Sequence, residues 1–438
     1  MSGNTNPPQD STDKLDRRKF IGAAAATTGL MFIKPELVRG TAASSAVRVG
    51  LLGCGGRGTE DATNLVDTGG ASVVALADLF QDQLDAARAN FDKLQQAKGY
   101  SAIDAKQLFF GPNAFHEIAA SKEVDAIVIA TPPYFHPQHL EAAVAGGKHV
   151  YLEKPVAVDV PGVKKVIDIG KRAEGKVSLD VGFQIRDCPP FVEMVRRIHA
   201  GALGKIVCGE AYYLTGYIDR PAWPNASPAE RRLRNWLYDR ALSGDIIVEQ
   251  NIHVIDICNW ILQSHPLKAS ATGSRLGRPA NDGNCYGNYN GVFQYPDGVD
   301  VTFSSTQFAK GWWDVTERFF GTKGTSQSPY RGPLGIWGDE QWQWEAPKPK
   351  DAAASDQGFS ATGKFTSNLE QADPEKKKAF VASITSGNFH NQAAKGAESA
   401  LSCMMARVAA YTGREVTWEE LLKSTEVWDP KIDLNKLR

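Results

Sequence analysis

"AVRVGLLGCGGRG", residues 46–58, decides the fold. An apolar run ends in Gly53-x-Gly55-x-x-Gly58, and helical sequence follows from about Thr59. The first glycine of such a turn allows the sharp bend. The second lets backbone approach a diphosphate, and the third lets helix and strand pack closely. The helix start itself favours an anion. Gly53, Gly55, Gly56, Arg57 and Gly58 are therefore candidates for holding a dinucleotide. The spacing alone is weak evidence, so the flanks must agree.

They do agree. "ASVVALAD" is a second apolar strand that ends at Asp78, twenty residues after Gly58. An acid there binds adenosine ribose hydroxyls. Leu79 and Phe80 follow, with no Arg to hold a 2′-phosphate, so NAD is favoured over NADP. "VDAIVIATPP" (124–133) and "GKHVYLEKP" (147–155) read as two more buried strands. Strands alternating with helical spans imply a doubly wound parallel sheet.

The later half reads differently. "KIVCGEAYYLTGY", "NYNGVFQYPDGVDVTFSSTQF" and "ERFFGTKGT" suggest an antiparallel sheet with turns such as Pro296-Asp297-Gly298. Helix returns over 372–414, after a polar stretch at 345–373 that reads as a surface loop. The expected fold is α/β. An N-terminal Rossmann domain (46–168) precedes a second α/β domain (169–438) with a large, mainly antiparallel open sheet and returning C-terminal helices.

Composition narrows the function classes. The chain has 438 residues, a net charge of −1 and 23% charged residues, so nucleic acid is not an expected partner. Past residue 40 no apolar run is long enough to span a membrane. Six scattered cysteines and eight histidines form neither a disulfide framework nor a metal cluster, so no metal is expected. The cysteines read as small buried hydrophobes.

Residues 1–43 read as an address. "DRRKFIGAAAATTGLMF" places Arg17 and Arg18 before Phe20 and an Ala-rich apolar run, with small residues near Ala43. The stretch resembles a twin-arginine (Tat) export signal. It implies the Tat machinery as a partner and a periplasmic or otherwise exported protein, tethered to the membrane if the signal is kept. That route carries folded proteins, which suits a cofactor loaded before export.

"GDIIVEQNIHVIDICNW" (244–260) is apolar enough for a buried helix. It carries Glu249, His253 and Asp256 at i, i+4 and i+7, on one face. No Lys or Arg lies between Arg240 and Lys268, so this is not an ordinary solvated face.

Glu153-Lys154-Pro155 after a strand resembles the signature of the Gfo/Idh/MocA oxidoreductases. "ATPPYFH" (130–136), "VGFQIR" (181–186), "FFGTKGT" (319–325) and "AAYTGREVTWEE" (409–420) add to the likeness, which covers essentially all of 46–420. The resemblance implies hydride transfer between a nicotinamide and a carbon of a sugar or cyclitol. It implies a dimer or tetramer formed through the second sheet. It extends the cofactor-binding set to Thr131, Pro132, His136, Glu153, Lys154 and Gln184. It also places Glu249 where the family carries Asp, four residues before His253.

The expected chemistry follows from these side chains. His253 can take the hydroxyl proton, its ordinary pKa of about 6.5 lying close to working pH. Lys154 can orient that hydroxyl, stabilise the developing alkoxide and share the base role. Glu249 can fix the imidazole or bind substrate. Arg186 and Asp256 are further substrate-binding candidates, although Asp256, Arg186, Gln184, Glu153 and Asn251 can equally brace structure. Trp223, Trp236, Trp312 and Trp313 could stack on sugar faces or simply pack.

Free NAD should be scarce outside the cytoplasm, so an exported enzyme must hold and restore its cofactor. One solution pairs the oxidation of one carbohydrate with the reduction of another, as in glucose–fructose oxidoreductase. A second is the redox-neutral cycle of the related NAD-dependent glycosidases. That cycle needs an extra base, and Tyr212, Tyr213 and Tyr217 are candidates. A third reading is an inactive sugar- or nucleotide-binding protein. The oxidoreductase is the expectation, and the inactive reading is disfavoured because both Lys154 and His253 are present.

Overall fold

A computed structural model describes residues 45–345 and 365–437. The export-type segment 1–43 and most of the loop expected over 345–373 lie outside them.

The glycine turn sits where the sequence places it. β1 (Val47–Leu52) leads through it into the helix Gly56–Thr68. β2 (Ala71–Asp78), β3 (Leu108–Phe110), β4 (Ala126–Ile129), β5 (His149–Leu152) and β6 (Leu179–Val181) complete a parallel sheet of order β3-β2-β1-β4-β5-β6. Alternate residues feed two cores. Val49, Leu51 and Val128 join one; Leu52, Ile127 and Ile129 join the other. Burial on both faces explains the near-continuous apolar runs. The sheet extends to Val181, past residue 168, because β6 pairs with β5. A strand of three residues carries too little pattern to be read from sequence.

β7 (Ile206–Leu214), β8 (Lys268–Ser274), β9 (Asn288–Gln294), β10 (Asp300–Thr306) and β11 (Asp314–Gly321) form the middle and one flank of a second sheet. β12 (Gly324–Gln327), β13 (Leu334–Gly338), β14 (Trp342–Trp344) and β15 (Val416–Thr417) complete its nine strands. Its pairs are antiparallel except β7 with β10. The helices Ile252–Leu262 and Ala393–Thr412 lie against one face. Tyr212, Val292, Phe320 and Trp337 remain half-buried on the other, where Cys208 is exposed while the other five cysteines are buried.

The returning chain ties the two sheets together. The helix Ala372–Ser386 packs on Gly56–Thr68 and adds Phe380, Val381 and Ile384 to a core of the first sheet.

The stretch 244–260 is not one helix. It breaks into Ile246–Glu249 and Ile252–Leu262 around Gln250 and Asn251. Asn251 N–H reaches back to the Ile246 carbonyl, and Gln250 Oε1 accepts from Gln307 Nε2 at 2.6 Å. The break releases the Glu249 carbonyl from the helical ladder, which has a consequence at the site.

Candidate active site

The glycine turn opens into a cavity of about 350 Å³. Gly53 has φ +97°, and a Cβ there would stand 2.7 Å from the Ala130 carbonyl. A Cβ on Gly58 would collide with the Gly53 carbonyl oxygen. At Gly55 a Cβ would meet open space, so backbone faces the cavity there. The helix Gly56–Thr68 has no side-chain cap, which leaves its first N–H groups for an anion. Asp78 orders this turn by accepting from Cys54 N at 2.7 Å and Phe80 N at 2.8 Å, and it also lines the cavity. Thr131 and Pro132 line it too. An uncapped helix start, an acid at the ribose position and an apolar slot beside Phe115 and Phe135 fit a dinucleotide.

Three of the expected cofactor residues act from beneath. The Arg57 guanidinium turns into the interior, to Glu153 at 2.9 Å, Asp373 at 2.8 Å and Asp61 at 3.0 Å. Glu153 also accepts from Lys154 N at 3.0 Å, so it shapes the turn that presents Lys154. Both His136 nitrogens lie 2.7 Å from carbonyl oxygens, of Pro155 and Thr131. Burial pushes that ring down to about 4, while the two carbonyls pull toward the charged form. Gln184 is buried, with its Oε1 unpartnered among the described residues.

Lys377 joins the Arg57 network through Asp61 at 2.6 Å, Asp373 at 3.1 Å and Tyr151 at 2.8 Å. Two cations thus face the three carboxylates of Asp61, Glu153 and Asp373. Burial pushes Asp61 up to about 7, against Arg57 and Lys377. Burial also raises Asp373, but Lys377 and Arg57 outweigh it and hold the carboxyl well below its ordinary range. Lys377→Met is expected to cost about 3–5 kcal/mol in urea unfolding, because it strands buried carboxylates. Asp373 contributes its stabilisation above an unfolded pKa of about 3.9 and loses it as pH falls below that value.

Lys154 adjoins this layer through the Glu153 carboxylate. Its Nζ donates to the Glu249 carboxylate at 2.9 Å and to the released Glu249 carbonyl at 2.6 Å. An ammonium has three donors, so one remains for a third partner. Glu249 therefore braces the lysine rather than the imidazole. His253 is 6% exposed and has no hydrogen-bond partner among the described residues. The edge of Phe183 packs near it, ring centroids 6.2 Å apart. Burial pushes His253 down to about 3, and the Lys154 charge adds to the effect. The imidazole is thus neutral, below the value expected from sequence.

The remaining candidates separate. Asp256 accepts from Arg186 Nε at 2.8 Å and Nη2 at 2.9 Å, and from Ser399 Oγ at 2.6 Å. Asp256 is 1% exposed, so this pair braces the helix Ile252–Leu262 and offers no carboxylate face to a substrate. Tyr217 bonds Asp282 and stacks on Tyr238 and Phe308. Tyr212 lies on the open sheet face beside Arg318. Tyr213 is buried close enough to Glu249 for desolvation and that charge to raise its phenol well above normal. Trp223 and Trp236 line the dinucleotide cavity, Trp313 packs on Gly216, and Trp312 is exposed.

Comparison with known proteins agrees with this geometry. Residues 47–181 match the Gfo/Idh/MocA oxidoreductase family's NAD-binding Rossmann fold, and 191–327 match the family's C-terminal domain. An inositol 2-dehydrogenase of Rhizobium meliloti (strain 1021) is 26% identical over 66% of this chain and 78% of its own length. A glycosyl hydrolase family 109 protein of Streptomyces niveus is 30% identical over 39% of this chain, but over only 33% of its own length. Among solved structures, an aldose-aldose oxidoreductase from Caulobacter crescentus, complexed with glycerol, matches with a TM-score of 0.66 at 18% identity. That match covers 85% of this chain and 99% of the other. A levoglucosan dehydrogenase in complex with NADH matches with a TM-score of 0.67 at 19% identity, over the same shares. Both halves of the chain were matched to a single family, and the protein belongs to it: the Gfo/Idh/MocA oxidoreductases, built on an NAD-binding Rossmann domain.

Proposed function

We propose that this protein is an exported oxidoreductase. It moves a hydride between a tightly held NAD and a hydroxyl-bearing carbon of a sugar, sugar derivative or cyclitol. The carrying observation is the Lys154 ammonium, fixed twice by Glu249 beside an unpartnered His253. NAD would supply the hydride acceptor, held by the Gly53–Gly58 turn, Asp78, Thr131 and Pro132. The third Lys154 donor meets the substrate oxygen and stabilises alkoxide charge as it forms. The neutral His253 nitrogen takes the hydroxyl proton. Glu249 keeps the lysine aimed and balances its charge. The inositol 2-dehydrogenase relative and the carbohydrate-oxidoreductase neighbours support the substrate class. The Arg17-Arg18 segment supports export, and the uncovered sheet face supports a homo-oligomer.

A redox-neutral glycosidase is the second reading. The family 109 relative favours it. The two readings separate on one assay. Purified protein is incubated with free sugars and cyclitols, and in parallel with aryl glycosides. Steady formation of oxidised carbohydrate is expected. Aglycone release without net NADH would select the glycosidase instead.

A further inference from the structure

The second lobe sends a segment, Ile218–Arg234, across the dinucleotide groove. Arg220, Trp223 and Arg234 share the cavity wall with Asp78 and Phe80. Arg234 fastens this segment to the Rossmann domain. Its Nη1 and Nη2 donate to the two oxygens of Asp82 at 2.9 and 3.0 Å, in the first turn of the helix Gln81–Ala97. The guanidinium lies over the Phe80 ring at 3.9 Å and the Trp223 ring at 4.4 Å. Its Nε meets Glu230 at 2.7 Å. Trp223 keeps a left-handed φ of 46°, a state a bulky residue holds only where its surroundings impose it. Its indole N–H donates to Asn235 Oδ1 at 3.2 Å, and the Asn235 amide donates to the Pro221 carbonyl at 3.0 Å.

Arg220 differs from Arg234. One Nη donates to the Arg234 carbonyl at 3.3 Å, but its buried Nε has no partner. A cationic side chain with a spare donor thus shares a cavity with an uncapped helix start. Both features suit the same anion.

We propose that Ile218–Arg234 is a strap over the adenosine half of NAD, with Arg220 binding the diphosphate and Arg234 latching the strap to Asp82. The proposal rests on the reading that NAD fills this cavity. Release of NAD then requires the latch to open, so the cofactor is kept between turnovers.

NADH-loaded protein is mixed rapidly with excess NAD, and release is followed by nicotinamide fluorescence. Arg220→Ala and Arg234→Ala should each speed release about tenfold or more, as charge-assisted bonds are lost. Asp82→Asn, which approaches the latch from the other side, should speed it about two- to fivefold. Arg220→Ala should also flatten the salt dependence of binding, equally for NADH and NADPH, which share the diphosphate. Thermal melting of the cofactor-free variants checks that they fold. Release within about twofold of wild type in both latch variants would overturn the strap. A loss confined to NADPH would overturn the diphosphate assignment of Arg220. If wild type releases NADH faster than it turns over while the latch variants are faster still, the strap stands and the tight-cofactor reading fails. If wild type and latch variants all retain cofactor, the strap alone fails.

Discussion

Lys154→Ala is expected to lower kcat by about 10³- to 10⁴-fold while leaving fold and cofactor binding in place. The side chain is spent on Glu249, not on the hydrophobic core. Its backbone N–H, which meets Glu153, survives the substitution. On the proposed mechanism, what disappears is the donor for the substrate oxygen and the positive charge that stabilises the alkoxide. Glu249→Gln tests the same arrangement more gently, because the amide keeps the shape and removes the balancing charge. Steady-state kinetics, with melting and NADH titration as controls, separates lost chemistry from lost structure. Turnover of Lys154→Ala within about tenfold of wild type would remove the lysine from the mechanism.

His253→Ala is expected to cost about 10²- to 10⁴-fold in kcat, as for loss of a positioned proton acceptor. The pH profile adds a sharper check. A histidine with an ordinary pKa would switch the rate off as pH falls through about 6.5. Here burial and Lys154 push the ring down to about 3, so it stays neutral at neutral and mildly acidic pH. No acid limb near pH 6.5 should come from this group. An acid limb there that His253→Ala abolishes would show that the ring titrates normally and that the cleft is wetter than its burial indicates.

Much of the first domain is legible in sequence because its determinants are local. Three glycines, an acid at the end of the next strand and near-continuous apolar runs act over short spans. The tripeptide Glu153-Lys154-Pro155 is local too, and it marks the lysine proposed to act on substrate. The interplay of side chains is not local. Arg57 meets Asp373 across 316 positions, and Arg186 meets Asp256 across 70. No spacing rule foretells which carboxylate a buried arginine will take, so both arginines read as ligand contacts. The break at Gln250–Asn251 was hidden for a related reason. No glycine or proline marks it, and Gln307 from the second sheet occupies the Gln250 amide. That break turns the longer acid, Glu249, toward Lys154 with both its carboxylate and its carbonyl. The strap segment carries no sequence signal either, because Arg234 meets Phe80 and Asp82 only through the fold, Asp82 lying 152 positions away.

On the proposed mechanism, a carbohydrate hydroxyl is oxidised at Lys154 and His253 by NAD held in the glycine-turn cavity. The most direct measurement is a single turnover. Wild type and Lys154→Ala, each loaded with NAD, are mixed with a panel of free sugars and cyclitols while reduced-nicotinamide absorbance is followed. At least one carbohydrate should produce a rapid rise in wild type, with the rise slowed about 10³-fold or more in the variant. Equal rises in the two proteins, or none in wild type across the panel despite bound NAD, would rule out carbohydrate oxidation at Lys154.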